Sequence, residues 1–291
     1  MNEASKAPAR PAYILTLSCP DRIGIVAAVS AFFVEHGCNI LESAQFGDAD
    51  NGRFFYRTAF EPAAGESIAA LREAFAPICA KFAMDAAFYD RAEKVATIVM
   101  VSKFGHCLND LLYRSKFGGV GIDIRAIVSN HQDFRALAEA AGIPFHHLPV
   151  EPANKAAQEA KLMDMVRALG VELIVLARYM QVLSPAVCAA MPGRVINIHH
   201  SFLPSFKGAK PYHSAHDRGV KLIGATAHYV TPDLDEGPII EQAVERVHHG
   251  MSVADYIAVG RDVEAVALGR AVKWHAERRI LLNGARTVIF D

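Results

Sequence analysis

Residues 171–178 read VELIVLAR, and residues 194–200 read RVINIHH. Both segments are short runs rich in β-branched and other apolar residues, which is typical of strands buried on both faces of a parallel sheet. Two similar runs precede them, VATIVMVS at residues 95–102 and IDIRAIVSN at residues 122–130. Together these segments predict a mostly parallel sheet in the larger, C-terminal part of the chain.

Helical patterns separate the strands. Residues 132–142 (QDFRALAEAAG) and 154–170 (NKAAQEAKLMDMVRALG) carry apolar residues at helical spacing, and each segment ends in glycine, which commonly terminates a helix. Strands that alternate with helices predict an α/β, Rossmann-like domain. In such domains ligands bind at the carboxyl ends of the strands.

The N-terminal part has a different pattern. A strand (residues 12–19) precedes a helix whose predicted N-cap is Asp21, and two extended segments then flank the turn-rich ADNG. A second helix (residues 67–82) and a closing strand complete the order βαββαβ, which predicts a ferredoxin-like sandwich. We place the boundary at the charged connector DRAEK, with one domain at residues 1–92 and the second at residues 93–291.

Composition narrows the functional classes. The chain has 291 residues and a formal net charge of −1 with mixed signs, so we expect no nucleic-acid partner and no anionic membrane surface. No apolar run reaches the ~20 residues of a membrane span, and the first residues lack the apolar core of a signal peptide. With five widely spaced cysteines and no CxxC pair, the expected location is the cytoplasm.

Polar side chains end one of the predicted strands. In the strand at residues 195–199, Asn197 and His199 are two apart and therefore share a face. From spacing alone, they could equally satisfy backbone groups at the strand end. A stiff acidic loop, TPDLDEGPII at residues 231–240, adds Asp235, although Asx turns are common in such loops. An amide, an imidazole and a carboxylate at one cleft are suited to attack on a carbonyl.

These motifs resemble a known family. NIHHSFLPSFKG at residues 197–208, followed by DLDEGPII at residues 233–240, is similar to the signature of the formyltetrahydrofolate-dependent formyltransferases, and the similarity covers about residues 95–280. The resemblance implies catalytic roles for Asn197, His199 and Asp235. It also implies that backbone groups of two segments receive the folate pterin: Met180, Gln181, Val182 and Leu183, with Thr231, Asp233 and Leu234.

Two further histidines are second-tier candidates, His106 and His228. His106 lies in SKFGHCLNDLL, where glycinamide ribonucleotide formyltransferases have a glycine- and serine-rich loop for the acceptor's phosphate. Only Gly105 could help form such a cradle here, which favours water as the acceptor. Ordinary structural roles, a turn without a ligand for His106 and a core histidine for His228, remain open.

The N-terminal part, with PDRIGIVAAVSAFFVEHGCNI at residues 20–40, resembles an ACT domain, a ferredoxin-like fold that often binds amino acids. The resemblance implies a homo-oligomer (dimer or tetramer) and a small amino-acid effector such as glycine or methionine. The implied effector positions are Asp21, Arg22, Ile23, Gly24, Asn39 and Ile40. The alternative is that the domain serves only in assembly, with Asp21 capping a helix and Arg22 solvated.

An ACT domain joined to a formyltransferase-like domain resembles the formyltetrahydrofolate deformylase family. This implies hydrolysis of 10-formyltetrahydrofolate to tetrahydrofolate and formate, which supplies formate and balances one-carbon pools for purine synthesis. Two alternatives remain: transfer of the formyl group to an amine on a nucleotide, aminoacyl-tRNA or amino sugar, and a non-catalytic folate or amino-acid sensor. No cofactor is expected, because FGGVGID lacks the dinucleotide fingerprint. No metal is expected, because the histidines lack a ligand pattern.

Overall fold

A computed structural model describes residues 12–63, 65–203 and 211–291. The chain folds into two units. The first unit contains the described residues up to Glu93, together with Glu277–Leu281 and Val288–Asp291. The second unit contains Lys94–Ala276 and Leu282–Thr287. Both units therefore include residues from the C-terminal end of the chain.

The first unit confirms the βαββαβ prediction. Its elements are β1 (Tyr13–Pro20), α1 (Ile25–Glu35), β2 (Asn39–Asp48), β3 (Arg53–Glu61), α2 (Ile68–Phe82) and β4 (Asp85–Asp90). The antiparallel sheet has the order β2-β3-β1-β4, so β2 is an edge strand. The helices bury an aromatic-rich core against the sheet, including Phe32, Phe60 and Phe75. Burial of this apolar surface stabilises the sandwich.

One local prediction for this unit is wrong. Asp21 does not cap α1, because the helix begins about one turn later, with Gly24 at the N-cap. Gly24 has a φ of 99°, a left-handed conformation that glycine adopts at little cost, and no side chain caps the helix. In α2, by contrast, the hydroxyl of Ser67 accepts a hydrogen bond from the backbone N–H of Ala70 at 3.2 Å.

The second unit is the predicted α/β domain. Its elements are β5 (Val95–Val101), α3 (His106–Phe117), β6 (Ile122–Ser129), α4 (Arg135–Ala140), β7 (Phe145–His147), α5 (Lys155–Ala168), β8 (Leu173–Leu176), α6 (Pro185–Ala190), β9 (Val195–His199), α7 (Pro211–Asp217), β10 (Leu222–Tyr229), β11 (Ile239–Arg246) and α8 (Val253–Ala276). A short hairpin follows, β12 (Ile280–Asn283) with β13 (Arg286–Ile289).

The large sheet has the order β11-β10-β9-β8-β5-β6-β7. Strands β5 to β9 pair in parallel, whereas β10 pairs antiparallel with both β9 and β11. This arrangement confirms the prediction of a mostly parallel sheet. After β7 the chain crosses back to place β8 on the other side of β5, so the winding direction changes between β5 and β8. At such a point the loops diverge and leave a crevice.

Apolar strands form the centre of this unit. Ile98 and Val99 in β5, and Ile174 and Val175 in β8, are fully buried, as expected for strands covered by helices on both faces. All five cysteines are free. Within the described part of the chain, no helix has the length and apolarity needed to cross a membrane.

Candidate active site

A cavity of about 300 Å³ lies at the carboxyl end of β9. One wall is formed by the segment after β8, and the opposite side is formed by the loop between β10 and β11. The residues that line it are Leu176, Arg178, Tyr179, Met180, Gln181, Val182, Leu183, Asn197, Ile198, His199, His200, His228, Val230, Thr231, Asp233, Leu234 and Asp235. The structure thus brings together at one cavity the three predicted catalytic residues and all seven predicted folate-binding residues.

His199 and Asp235 contact each other in this cavity. Nδ1 of His199 lies 3.2 Å from Oδ2 of Asp235, and only about a tenth of each side chain is exposed. Nε2 of His199 has no hydrogen-bond partner among the described residues. An imidazole whose Nδ1 faces a carboxylate and whose Nε2 is free can exchange a proton with a bound substrate.

Asn197 is held by the neighbouring strand. In the antiparallel pairing of β9 and β10, Asn197 lies directly opposite His228. Nδ2 of Asn197 is 3.3 Å from Nε2 of His228, whose Nδ1 is 2.9 Å from the carbonyl oxygen of Tyr229. A proton on Nδ1 would leave Nε2 to accept from the Asn197 amide. This contact uses one N–H of the amide and orients the second N–H for a ligand.

Asp235 is held in a sparsely populated backbone conformation. Its φ of 56° is left-handed, which costs a non-glycine residue about 1 kcal/mol. Nearby Gly237 permits this turn, because a Cβ there would overlap the carbonyl oxygen of Tyr229. Contacts with His199 and His228 lower the pKa of Asp235 well below its usual range, although burial opposes them. Asp235 is therefore ionised at neutral pH.

The wall formed by residues 179–183 begins at a strained residue, Arg178, whose φ is 64°. Ser102, which follows β5, fixes this wall. Its backbone N–H donates to the carbonyl oxygen of Arg178 at 3.2 Å, and its hydroxyl accepts from the N–H of Met180 at 2.9 Å. The side chains of Met180 and Val182 are about half exposed. The wall can therefore offer backbone groups and apolar surface to a flat ring.

His106, the other second-tier candidate, does not line the cavity. It begins α3, and its Nε2 lies 2.7 Å from Oε2 of Glu264 in α8. Next to it, Gly105 packs against Phe134, where a Cβ would overlap the ring. His228, in contrast, is buried within the site.

One group of described residues has the spacing of a metal site: His106, Cys107 and Glu264. The Oε2 atom of Glu264 already lies 3.2 Å from Nε of Arg178. A guanidinium at that distance opposes a cation. Burial also raises the pKa of the Cys107 thiol well above its usual value, which disfavours the thiolate that a metal needs.

The predicted effector residues do not meet within one chain. Asp21, Arg22, Ile23 and Gly24 follow β1, whereas Asn39 and Ile40 begin β2. Pro20 pairs with Arg53, and Asn39 pairs with Glu61. The two sets therefore lie at opposite ends of β3, about 27 Å apart at about 3.4 Å per residue. The guanidinium of Arg22 is not free, because it donates to the carbonyl oxygen of Lys81 and lies 4.9 Å from the Phe82 ring centroid.

Sequence reasoning missed three residues beside the cavity: Glu264, and Arg178 and Tyr212, which both contact it. A signal for Glu264 does exist in the sequence. It is a carboxylate within VEAVAL, an apolar stretch of a helix, and a charged residue at a core position is rarely there without a partner. Its partners could not be found, because they lie far away along the chain.

Comparisons with known proteins agree with this geometry. Residues 95–272 match the Formyl transferase family, and residues 13–76 match the ACT domain family. The fold and site therefore define an ACT unit joined to a formyl transferase unit.

Individual relatives cover almost the whole chain. The sequence is 50% identical over 278 residues to formyltetrahydrofolate deformylase of Corynebacterium sp. (strain P-1), covering 95% of this chain and 97% of the relative. It is 47% identical over 279 residues to the protein of that name from Bacillus subtilis (strain 168), covering 95% and 93%. The crystal structure of formyltetrahydrofolate deformylase from Burkholderia mallei superposes with a TM-score of 0.93 at 54% identity, covering 97% of this chain and 100% of that chain. The chain belongs to the formyltetrahydrofolate deformylase family.

Proposed function

We propose that this protein hydrolyses 10-formyltetrahydrofolate to tetrahydrofolate and formate. The observation that carries the proposal is the contact between His199 and the ionised Asp235 beside the Asn197 amide, in a cavity with a wall suited to a flat ring. Relatives that match the chain along nearly all of its length carry the name formyltetrahydrofolate deformylase, which supports the same reaction.

The first step is addition of water to the formyl carbon. The second N–H of Asn197 donates to the formyl oxygen and stabilises the negative charge that develops there. Asp235, held ionised by its two histidine contacts, positions the water. His199 takes up a proton from the water, and Asp235 stabilises the positive charge that His199 then carries. The product of this step is a tetrahedral intermediate.

The second step is breakage of the bond between the formyl carbon and N10. His199 returns the proton through Nε2 to N10, so tetrahydrofolate leaves as a neutral amine, and formic acid loses its proton to solvent as formate. N10 is an arylamine nitrogen and leaves readily once it is protonated. General acid–base catalysis contributes on the order of 10²–10⁴-fold to such reactions.

The pterin would lie against residues 180–183 on one side and against Thr231, Asp233 and Leu234 on the other. Backbone N–H and C=O groups of these segments can bind the polar edge of the ring, with the apolar lining contacting its faces.

The reaction needs no redox or group-carrying cofactor. The free cysteines suit a reducing compartment, and we propose the cytoplasm as the site of action. Hydrolysis there would supply formate and adjust one-carbon pools.

The experiment is incubation of the protein with 10-formyltetrahydrofolate in the absence of any amine. Tetrahydrofolate and formate should appear in equal amounts, and His199→Ala should abolish most of the turnover. Binding without turnover would support the sensor instead. Turnover only after an amine is added would support a transferase.

We further propose that residues 1–92 act as a regulatory and assembly domain and residues 93–291 as the catalytic domain. Edge strand β2 supports the assembly role, because Ile40, Leu41 and Phe46 on it are 38%, 43% and 45% exposed. If β2 pairs antiparallel with β2 of a second copy, its Asn39 end lies beside the partner's Asp48 end. Asp48 and Pro20 both pair with Arg53, so the residues that follow Pro20 lie at the Asp48 end of the sheet.

A two-fold pairing of this kind would bring together the effector positions that one chain separates. Asp21 to Gly24 of one copy would then face Asn39 and Ile40 of the other. The resulting site could bind a small amino acid such as glycine or methionine through its carboxylate and ammonium groups. Pairing of exposed edge strands is a common route to association.

A further inference from the structure

A buried group of charged and polar side chains lies beside the cavity, and we name it the Glu264 cluster: Glu264, His106, Arg178 and Tyr212. Oε1 of Glu264 accepts a hydrogen bond from the Tyr212 hydroxyl at 2.6 Å. Oε2 lies 2.7 Å from Nε2 of His106 and 3.2 Å from Nε of Arg178. The side chain of Glu264 is only 1% exposed.

The cluster lies at the crevice between β5 and β8, where the winding of the sheet reverses. His106 begins the helix that follows β5, and Arg178 lies two residues beyond the end of β8. In α/β sheets this is the position where ligands bind, and the start of a helix there favours an anion. In this protein the carboxylate of Glu264 faces the basic groups at that position.

The charges of the cluster are internally compensated. Burial alone would raise the pKa of Glu264. Its contacts with His106, Arg178 and Tyr212 lower the pKa by more than burial raises it, so the net shift is downward. Glu264 is therefore an anion at neutral pH, and Arg178 is always a cation. An external anion would have to displace a carboxylate that is tethered in place and so has a high effective concentration.

The packing of α8 supports this arrangement. A Cβ on Gly260 would overlap the ring of Tyr212, so only glycine lets that ring lie against the helix one turn before Glu264. Arg178 links the Glu264 cluster to the catalytic cavity, because it contacts Glu264 and also lines the cavity. An anionic group bound by Arg178 would consequently lie at the edge of the catalytic cavity.

We propose that Glu264 is a specificity-determining residue that excludes phosphate-bearing acceptors from this crevice. Its carboxylate takes the position of an acceptor's anionic group and holds Arg178 and His106. The proposal rests on the hydrolysis proposed above: with the crevice occupied by the protein's own anion, water is the acceptor that reaches the formyl carbon.

The test is the binding of inorganic phosphate to the Glu264→Gln variant, measured by calorimetry without folate. Glutamine keeps the size of the side chain and can still accept from Tyr212, but it carries no charge. Arg178 and His106 should then bind phosphate with a millimolar dissociation constant, the order expected for a small anion held by a few charge-assisted hydrogen bonds. The natural protein should show no binding in this range.

Two controls sharpen the result. Glu241→Gln makes the same change at a carboxylate on β11, whose Oε2 lies 3.5 Å from the guanidinium of Arg270 on α8. This variant should not create phosphate binding. Arg178→Met combined with Glu264→Gln removes the cation together with the anion, and this double variant should lose the phosphate binding that Glu264→Gln gained. Because no folate is present, these results do not depend on whether the protein hydrolyses it.

A folded Glu264→Gln variant that does not bind phosphate overturns the proposal. If the variant is unfolded in chloride buffer, phosphate should restore the fold by binding the native state. A variant that stays unfolded at every phosphate concentration also contradicts the proposal, as does phosphate that stabilises the natural protein equally.

Discussion

His199 and Asn197 differ in what their loss should do to turnover. His199→Ala removes the group that carries the proton, so we expect kcat to fall by about 10²–10⁴-fold. Asn197→Ala removes one donor to the developing oxyanion, for which about 10²–10³-fold is typical. The affinity for a non-hydrolysable folate should change little in both variants, because the wall at residues 180–183 is untouched. Steady-state kinetics and equilibrium titration measure the two effects, and near-normal turnover in both variants would refute the assignment.

His228 should act as a positioning residue. It lies opposite Asn197, 3.3 Å from its amide, and 3.6 Å from Oδ1 of Asp235. We expect His228→Ala to lower kcat by roughly ten-fold to a hundred-fold, less than His199→Ala, with little change in KM, because orientation of the amide is lost while the proton carrier remains. His216→Ala, on a partly exposed helix outside the cavity lining, is the matched control. Equal losses in His228→Ala and His199→Ala would instead give His228 a direct chemical role.

Asp235 should make the stability of the protein depend on pH. Its pKa in the folded state is lowered, so its contribution is fully present above the unfolded value of about 3.9 and is lost as pH falls through the folded-state value. Asp235→Asn cannot gain this contribution, and asparagine tolerates a positive φ as well as aspartate does. The variant should therefore be less stable than the natural protein near neutral pH, and the difference should shrink below about pH 4.

Urea unfolding at a series of pH values measures this difference directly. The two groups that face Asp235, His199 on β9 and His228 on β10, are present in both proteins. A stability difference that stays constant down to the acid unfolding of both proteins would show that the carboxylate is not stabilised in its ionised form.

The elements that could be predicted were those with a strong local period. The βαββαβ pattern and the parallel strands follow from the alternation and burial of apolar residues, and the glycines after α4 and α5 mark where those helices end. The shared face of Asn197 and His199 follows from the two-residue period of a strand. These features depend only on residues that are close together along the chain.

The contacts that sequence analysis did not specify depend on long-range pairing, although His228 itself is a second-tier candidate from the sequence. His228 reaches Asn197 because of the register between β9 and β10, which no local pattern specifies. Glu264 meets His106 across a separation of 158 residues. The predicted start of α1 is too early for a local reason. Asp21 is a residue type that commonly caps helices, but this helix has the left-handed Gly24 at its N-cap.

The loop between β10 and β11 allows a prediction at the level of the element. Gly237→Ala would place a Cβ against the carbonyl oxygen of Tyr229, so the loop that carries Asp235 must shift. A displacement of about 1 Å can cost on the order of 10²-fold in rate. We expect such a loss in kcat with a folded protein. Gly121→Ala is the control, because a Cβ there lies at an ordinary 3.5 Å from Ala276 Cβ. Equal activity of the two variants would mean that the loop adapts without moving Asp235.

The C-terminal residues decide how the role of the first unit must be tested. Phe55 of β3 packs with Val288 and Phe290 in one apolar cluster. The guanidinium of Arg57, also on β3, is buried and donates to the backbone carbonyl of Glu277 at 3.0 Å. A chain beginning at Lys94 would leave these C-terminal residues without their partners, so substitutions in the intact chain are the better test.

The assembly proposed through β2 predicts a linked loss of association and regulation. Leu41→Lys together with Phe46→Lys places two charges on the exposed edge strand, where like charges across a two-fold axis repel and lysine is a natural blocker of strand pairing. We expect the natural protein to be a dimer or tetramer by light scattering and the double variant to have half that mass. A small amino acid such as glycine or methionine should change the rate of the natural protein but not that of the variant, because its site needs Asp21 of one copy and Asn39 of the other.

The control is Val34→Lys, at a position 79% exposed on α1, which should alter neither the mass nor the effector response. An unchanged mass in the double variant would rule out assembly through β2, and an effector response that persists in a dissociated variant would place the amino-acid site within a single chain.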